Sequence, residues 1–381
     1  MKHSFPFPNF GKPVQAVSET RKMTSAPGNR TRPLLIAILL CARSAAQEWQ
    51  GIHLSAPDRP AGIGTAVFDL WIPENLPPER PVRGVIASSS YETTSRGFTD
   101  PRIRQLAMRQ DMAVMRYHIR TVEDKLDTSA AGAACILRIL EVFAEETGRP
   151  ELAQSGLVLQ GVSWGAMQTF HYVNAIPERV IAALPWRGTA RDMNAVTRPE
   201  ARRVPILHIP AGRETFNHYR PMDSAPAMNE PVSKGAPWAF HVTPAAGHAD
   251  IFQPAGDGFR VDIDYVIRWL EQHIELRVPE HIVPGEPQPP REIPPAPGWA
   301  GTFELHQATD DRQTVLRSDI RYFATEAERP ADAQVFFPTE ALARAWQHHN
   351  ETWSSGYPKG NPLLPEDPGF PAPPIEDDQT D

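Results

Sequence analysis

The amino-acid sequence predicts an α/β fold: a mostly parallel central sheet of about eight strands with helices on both faces. Two observations carry this expectation. Between about Glu48 and Leu276, short apolar runs rich in β-branched residues alternate repeatedly with longer stretches of helical period, which is the signature of successive strand–helix units. The chain is also long enough, at 381 residues with 22% charged side chains, to bury one large core or two modest ones.

Taken in order, "GTAVFDLWIP" alternates at period two, as a half-buried strand does. "RGVIASS", "MAVMRYH", "SGLVLQGV", "VIAALPW", "VPILHIP" and "PWAFHVTP" are short apolar runs bounded by turn or charged residues, and each reads as a strand. Helical stretches intervene: "RIRQLAMRQ", "AAGAACILRILEVFAEETG" and "AMQTFHYVNA". The last of them, "FRVDIDYVIRWLEQHIE", sets Phe259, Val261, Ile263, Val266, Ile267, Leu270 and Ile274 close to one face. This body spans residues 47–277.

The two ends differ from the body. Residues 1–46 carry "RTRPLLIAILLCARSAA", arginines followed by a short apolar run and small residues. That is the layout of a secretory signal with cleavage after Ser44-Ala45-Ala46, best placed if translation starts at Met23. Export follows from this reading; a disordered arm on a cytoplasmic protein is the other. The apolar run is too short to span a bilayer comfortably. Eight of the twenty residues from Pro279 to Gly298 are proline, which cannot sustain helix or central strand, so residues 278–298 read as a linker. Residues 299–357 hold β-like pieces and one helix opened by Thr339; so small a piece is expected to lie back on the main body. The acidic, Pro-rich tail 358–381 reads as disordered.

Composition excludes several functions. The net charge is −8 and basic residues form no blocks, so no nucleic-acid partner and no polybasic membrane contact is expected. Two cysteines, Cys41 and Cys135, rule out a cysteine-based zinc cluster, and Cys135 in an apolar helical pattern reads as a buried structural thiol. His348 and His349 sit together on the last helix, where a solvated face is expected before a metal pair. Neither dinucleotide-type nor P-loop glycine patterns occur. We expect no cofactor and no metal.

One motif stands out. In "LVLQGVSWGAMQTF", Gly161, Ser163 and Gly165 form G-x-S-x-G between a strand-like and a helix-like run. A serine forced to positive φ on so tight a turn projects its hydroxyl out of the sheet, and side chains two residues to either side would collide with the neighbouring strand and helix. A serine hydroxyl needs an imidazole to take its proton and a carboxylate to orient that imidazole. His248, in "PAAGHAD" after the last strand, is the candidate base; His171, His208 and His241 lie inside elements and read as packed or surface residues. Glu214 is the first carboxylate past the strand "VPILHIP", with Asp223 and then Asp192 as alternatives, and a surface glutamate paired with Arg213 or Arg220 as the bland reading. Arg187, Arg191 and His218 read as solvated loop residues, with contact to an acidic or sugar-bearing substrate as the functional alternative.

The order Ser163, Glu214, His248 resembles that of α/β-hydrolases, with "GVSWGA" as the nucleophile elbow and "AGH" as the histidine loop. More narrowly, "EETGRPELAQSGLVLQGVSWGAMQTFHYVNAIPERV" is similar to exported bacterial esterases of the dienelactone hydrolase and polyester depolymerase neighbourhood. The chain departs from these in having glutamate where aspartate is usual, and in lacking "HG" after the third strand. The resemblance implies an oxyanion hole made by the backbone N–H of Trp164 and a second donor from about Ser90 or Tyr91. Trp164 itself either walls an apolar acyl pocket or packs against the sheet. The implied activity is hydrolysis of a small or polymeric carboxylic ester. A serine peptidase or acyltransferase on the same fold, and a non-catalytic binding module, are the alternatives.

Overall fold

A computed structural model describes residues 47–89, 96–216, 218–244, 246–248, 258–307 and 313–354. The expected leader, Cys41, Ser90, Tyr91 and the tail 358–381 lie outside the described residues. Eleven strands are described: β1 Gln47–His53, β2 Ile63–Ile72, β3 Gly84–Ser89, β4 Met112–Thr121, β5 Leu157–Val162, β6 Val180–Trp186, β7 Ile206–His208, β8 Trp238–Phe240, β9 Gly298–Gln307, β10 Gln313–Phe323 and β11 Val335–Phe337. The helices are α1 Arg96–Thr99, α2 Pro101–Arg109, α3 Ala130–Thr147, α4 Trp164–Ala175, α5 Ala190–Met193, α6 Pro199–Arg202, α7 Pro221–Ser224, α8 Pro226–Ser233, α9 Gly258–Arg277 and α10 Glu340–Ser354.

The first eight strands form one sheet in the order β1-β2-β4-β3-β5-β6-β7-β8. The antiparallel strands β1 and β2 occupy one edge, and from β4 to β8 every pairing is parallel. The α/β class and the mostly parallel eight-stranded sheet expected from the sequence are therefore what the chain forms. The apolar runs explain why. All seven residues of β6 are buried, as a parallel strand covered by helices on both faces requires. Helix α3 starts where Ser129 accepts a hydrogen bond from the Ala131 amide, an N-cap that fixes its entry. Helix α9 buries Ile263, Val266, Leu270 and Ile274 of the expected stripe, together with Tyr265 and Trp269.

No helix or strand forms between Val278 and Pro297, in keeping with the proline content there. This segment runs back along α9, with the Arg291 amide donating to the Arg277 carbonyl at 2.7 Å. Strands β10, β9 and β11 then make a second, antiparallel sheet, and α10 begins where Thr339 Oγ1 accepts from the Leu342 amide at 3.3 Å. This C-terminal layer meets the main sheet at its last strand: Phe240 of β8 stacks on Phe303 of β9 at 5.1 Å. Among the described residues no helix is long and apolar enough to cross a membrane.

Candidate active site

Ser163 sits at φ 55°, ψ −114° between β5 and α4. Its amide donates to the Trp186 carbonyl at 2.9 Å, and its carbonyl accepts from the Met167 amide at 3.1 Å, so the turn is tied to β6 on one side and to the helix on the other. A Cβ at Gly161 would lie 2.3 Å from the Gly165 carbonyl oxygen, and one at Gly165 would lie 3.0 Å from Ser89 Oγ of β3. The two glycines thus let the helix approach its own strand and the neighbouring one. That closeness forces the strained backbone at Ser163.

Glu214 and His248 leave the ends of β7 and β8. Beyond these strands the two chain segments stay zipped: the Thr243 amide donates to the Pro210 carbonyl at 3.1 Å, Gly212 to Thr243 at 2.8 Å and Arg213 to Ala246 at 2.9 Å. Acid and histidine are carried together by this ladder, and His248 Nδ1 meets Glu214 Oε2 at 2.6 Å. With a carboxylate as acceptor, Nδ1 carries the proton and Nε2 is left with its lone pair for a second partner. The other Glu214 oxygen accepts from the Phe216 amide at 3.0 Å. Burial pushes the Glu214 carboxyl up, but the hydrogen bonds from His248 and Phe216, with the positive charge of Arg187, outweigh it and hold the group below the usual carboxylate range.

Two aromatic rings that the sequence reading passed over complete the site. Phe216 and Tyr219 stand edge-on to the His248 ring at 4.9 and 5.0 Å, and the Tyr219 hydroxyl reaches the Ser163 side chain. One tyrosine therefore touches both Ser163 and His248, which places them in the same mouth. Among the described residues Ser163 and His248 share no hydrogen bond with each other; in ligand-free sites such bonds are often long and tighten only with substrate. Burial raises the Tyr219 phenol above its ordinary value. Trp164 opens α4 beside the serine with 43% of its surface exposed, and Phe216 shows 56%. Trp164 is thus half exposed rather than packed under the sheet. The only local signal for the Phe216–Tyr219 pair was two aromatics in the loop that carries the acid.

Among the described residues neither alternative acid bonds His248, whose Nδ1 partner is Glu214. Asp192 Oδ2 accepts from the Thr189 amide at 3.0 Å and hydroxyl at 2.8 Å in a capping box of α5. Asp223 is exposed on α7. Arg187, read from sequence as a solvent-facing loop residue, is fully buried. Its backbone turns inward at φ 58°, and both its amide and its Nη1 donate to the Ile209 carbonyl, at 2.9 and 2.8 Å. His349, expected on a solvated face, is buried and bonded to the Val242 carbonyl. Cys135 is buried, and burial pushes its thiol up to about 11, leaving it protonated and unreactive at neutral pH. Among the described residues no group of three or more His, Cys, Asp or Glu side chains is placed to hold a metal ion.

No protein-family model matches the chain, and no curated protein matches it. Solved structures similar to it include a bacterial heroin esterase, at 14% identity over 62% of this chain and 87% of that one, with a TM-score of 0.42. A zinc-bound cold-adapted esterase from an Arctic intertidal metagenomic library is 15% identical over 60% and 94%, with a TM-score of 0.40. The feruloyl esterase module from Clostridium thermocellum is 14% identical over 61% and 88%, with a TM-score of 0.39.

Proposed function

We propose that this chain, which has an α/β-hydrolase fold, is a serine hydrolase that cleaves carboxylic esters through an acyl-enzyme. The observation that carries the reading is the 2.6 Å bond from His248 to the buried Glu214, in the mouth that Tyr219 shares with the strained Ser163. Ser163 Oγ attacks the ester carbonyl carbon while its proton passes to His248 Nε2, and Glu214 stabilises the imidazolium that results. As the tetrahedral intermediate collapses, the carbon–oxygen bond to the alcohol breaks and the alcohol oxygen takes the proton from His248. Water then repeats the sequence in reverse roles and frees the acid and Ser163. The developing oxyanion faces the N-terminal end of α4, where the Trp164 N–H and the positive end of the helix stabilise negative charge. Ser90 or Tyr91 supplies the second donor in this scheme. No cofactor or metal enters any step.

The test is direct. A fluorophosphonate probe is expected to label the protein at Ser163, and Ser163→Ala is expected to abolish both labelling and p-nitrophenyl ester hydrolysis while the protein stays folded. Turnover unchanged in that variant would remove the proposal. A panel of esters, peptides and acyl acceptors separates esterase from peptidase and transferase chemistry. We further propose that residues 1–46 direct export; N-terminal sequencing of exported protein should then read from Gln47.

A further inference from the structure

The last strand of the main sheet has one free edge, and that edge leads into the histidine loop. Strand β8 uses its inner side for β7: the amides of His241 and Thr243 donate to the carbonyls of His208 and Pro210. Strand geometry turns the intervening carbonyls of Phe240 and Val242 to the opposite side, where a sheet edge leaves acceptors in need of partners. Helix α10 supplies both. Trp346 Nε1 donates to the Phe240 carbonyl at 2.7 Å, and His349 Nε2 lies 3.2 Å from the Val242 carbonyl. The spacings match: residues three apart lie on one face of a helix about 5 to 6 Å from each other, close to the rise of about 6.8 Å across two strand residues.

Both side chains are buried, and the packing around them is specific. A Cβ at Gly301 of β9 would come within 3.0 Å of the Trp346 ring, so the strand leaves room for the indole. The His349 ring lies 4.1 Å from His241, which stacks on Tyr265 of α9 at 4.5 Å. Thr339 at the start of α10 donates to Gln272 Oε1 of α9 at 2.7 Å. The helix is thus fixed to the main body at both ends of its contact with β8.

We infer that Trp346 and His349 are positioning residues for His248, and that the C-terminal layer is a working part of the hydrolase. The inference rests on the reading of His248 as general base. His248 lies six residues beyond Val242, the last carbonyl that α10 holds. Between them, Thr243 and Ala246 bond inward to Pro210, Gly212 and Arg213. Because those same bonds carry Glu214, loss of the outer clamp would move acid and histidine together as one body, away from Ser163 on β5. A displacement of about 1 Å at a reacting group costs on the order of 10²-fold in rate.

The experiment uses the full chain with p-nitrophenyl acetate. His349→Leu removes the donor and keeps the bulk; His349→Gln retains an amide that can donate; Arg344→Ala, on the exposed side of α10, is the control. We expect His349→Leu to lower kcat by about tenfold or more with KM within about twofold, and the rate of fluorophosphonate labelling to fall with kcat. His349→Gln should recover most of both, and Arg344→Ala should match the parent. Circular dichroism establishes that each variant is folded. If His349→Leu unfolds, Trp346→Phe, which removes the indole donor and keeps an aromatic ring there, is judged by the same criterion. A folded donor-less variant with kcat within about twofold of the parent overturns the inference. Loss of the serine reading would show separately, as full activity in Ser163→Ala.

Discussion

Replacing Glu214 by glutamine is the sharpest perturbation of the site, because it changes charge and proton direction with almost no change in shape. The glutamine oxygen can still accept from the Phe216 amide, which now bonds Oε1 at 3.0 Å. Its NH₂ then faces His248 Nδ1, where the carboxylate now sits at 2.6 Å, and it donates. Nδ1 must become the acceptor, so the ring proton moves to Nε2 and the base faces Ser163 in the wrong tautomer. The electrostatic loss can be gauged too. A carboxylate and an imidazolium with charge centres about 4 Å apart, at an effective dielectric of about 20, attract by about 4 kcal/mol. That alone corresponds to roughly a thousandfold in rate, and the tautomer change adds to it, so a fall in kcat of about 10³ to 10⁴ is expected. Steady-state hydrolysis of p-nitrophenyl acetate measures it, with circular dichroism to show that the buried amide is tolerated. A fall of less than about tenfold would refute the assignment of Glu214; a large loss in Asp223→Asn instead would move the role to that residue.

Gly161→Ala should cost about 3 kcal/mol or more by urea unfolding, since its Cβ would meet a backbone oxygen that cannot yield; a change under about 0.5 kcal/mol would contradict the packing described at the turn. Acid should weaken the fold well before the carboxylates titrate. Burial holds His208 down at about 4 and His241 and His273 at about 3, so the unfolded chain takes up protons below about pH 6.5 that the folded chain refuses. Their contribution is complete above that pH and is lost as pH falls toward 4, by about 1.4 kcal/mol per unit for each histidine. Equal unfolding free energies at about pH 7 and pH 5 would exclude this. Glu214 acts in the same direction at lower pH. Its depressed carboxyl stabilises the fold above the ordinary carboxylate range and stops doing so as pH falls through its folded value. The difference in unfolding free energy between the parent and Glu214→Gln should therefore shrink in acid.

The elbow at Ser163 was legible because its determinants lie within a few residues. An apolar strand run, two glycines around a serine and a helical run state the local geometry without reference to the rest of the chain. Choosing Glu214 and His248 needed one further rule, that side chains in a parallel sheet converge at the carboxyl ends of its strands. The structure places those two side chains in contact. Arg187 shows where such reading stops: nothing in "WRGTAR" announces that its guanidinium turns inward to a carbonyl 22 residues away. Phe216 and Tyr219 were equally silent, since their role depends on where the histidine loop arrives.

The sequence by itself determined the strand and helix succession, the α/β class and the turn that exposes Ser163, because hydrophobic period and glycine placement act over one or two turns of chain. Only the tertiary structure decided that Arg187 is buried on the Ile209 carbonyl, that Tyr219 reaches both Ser163 and His248, and that α10 caps the edge of β8 from more than a hundred residues away. Each of these depends on which distant backbone carbonyl or side chain a polar group finds when the sheet closes. Burial makes that partner obligatory, while local sequence leaves its identity open.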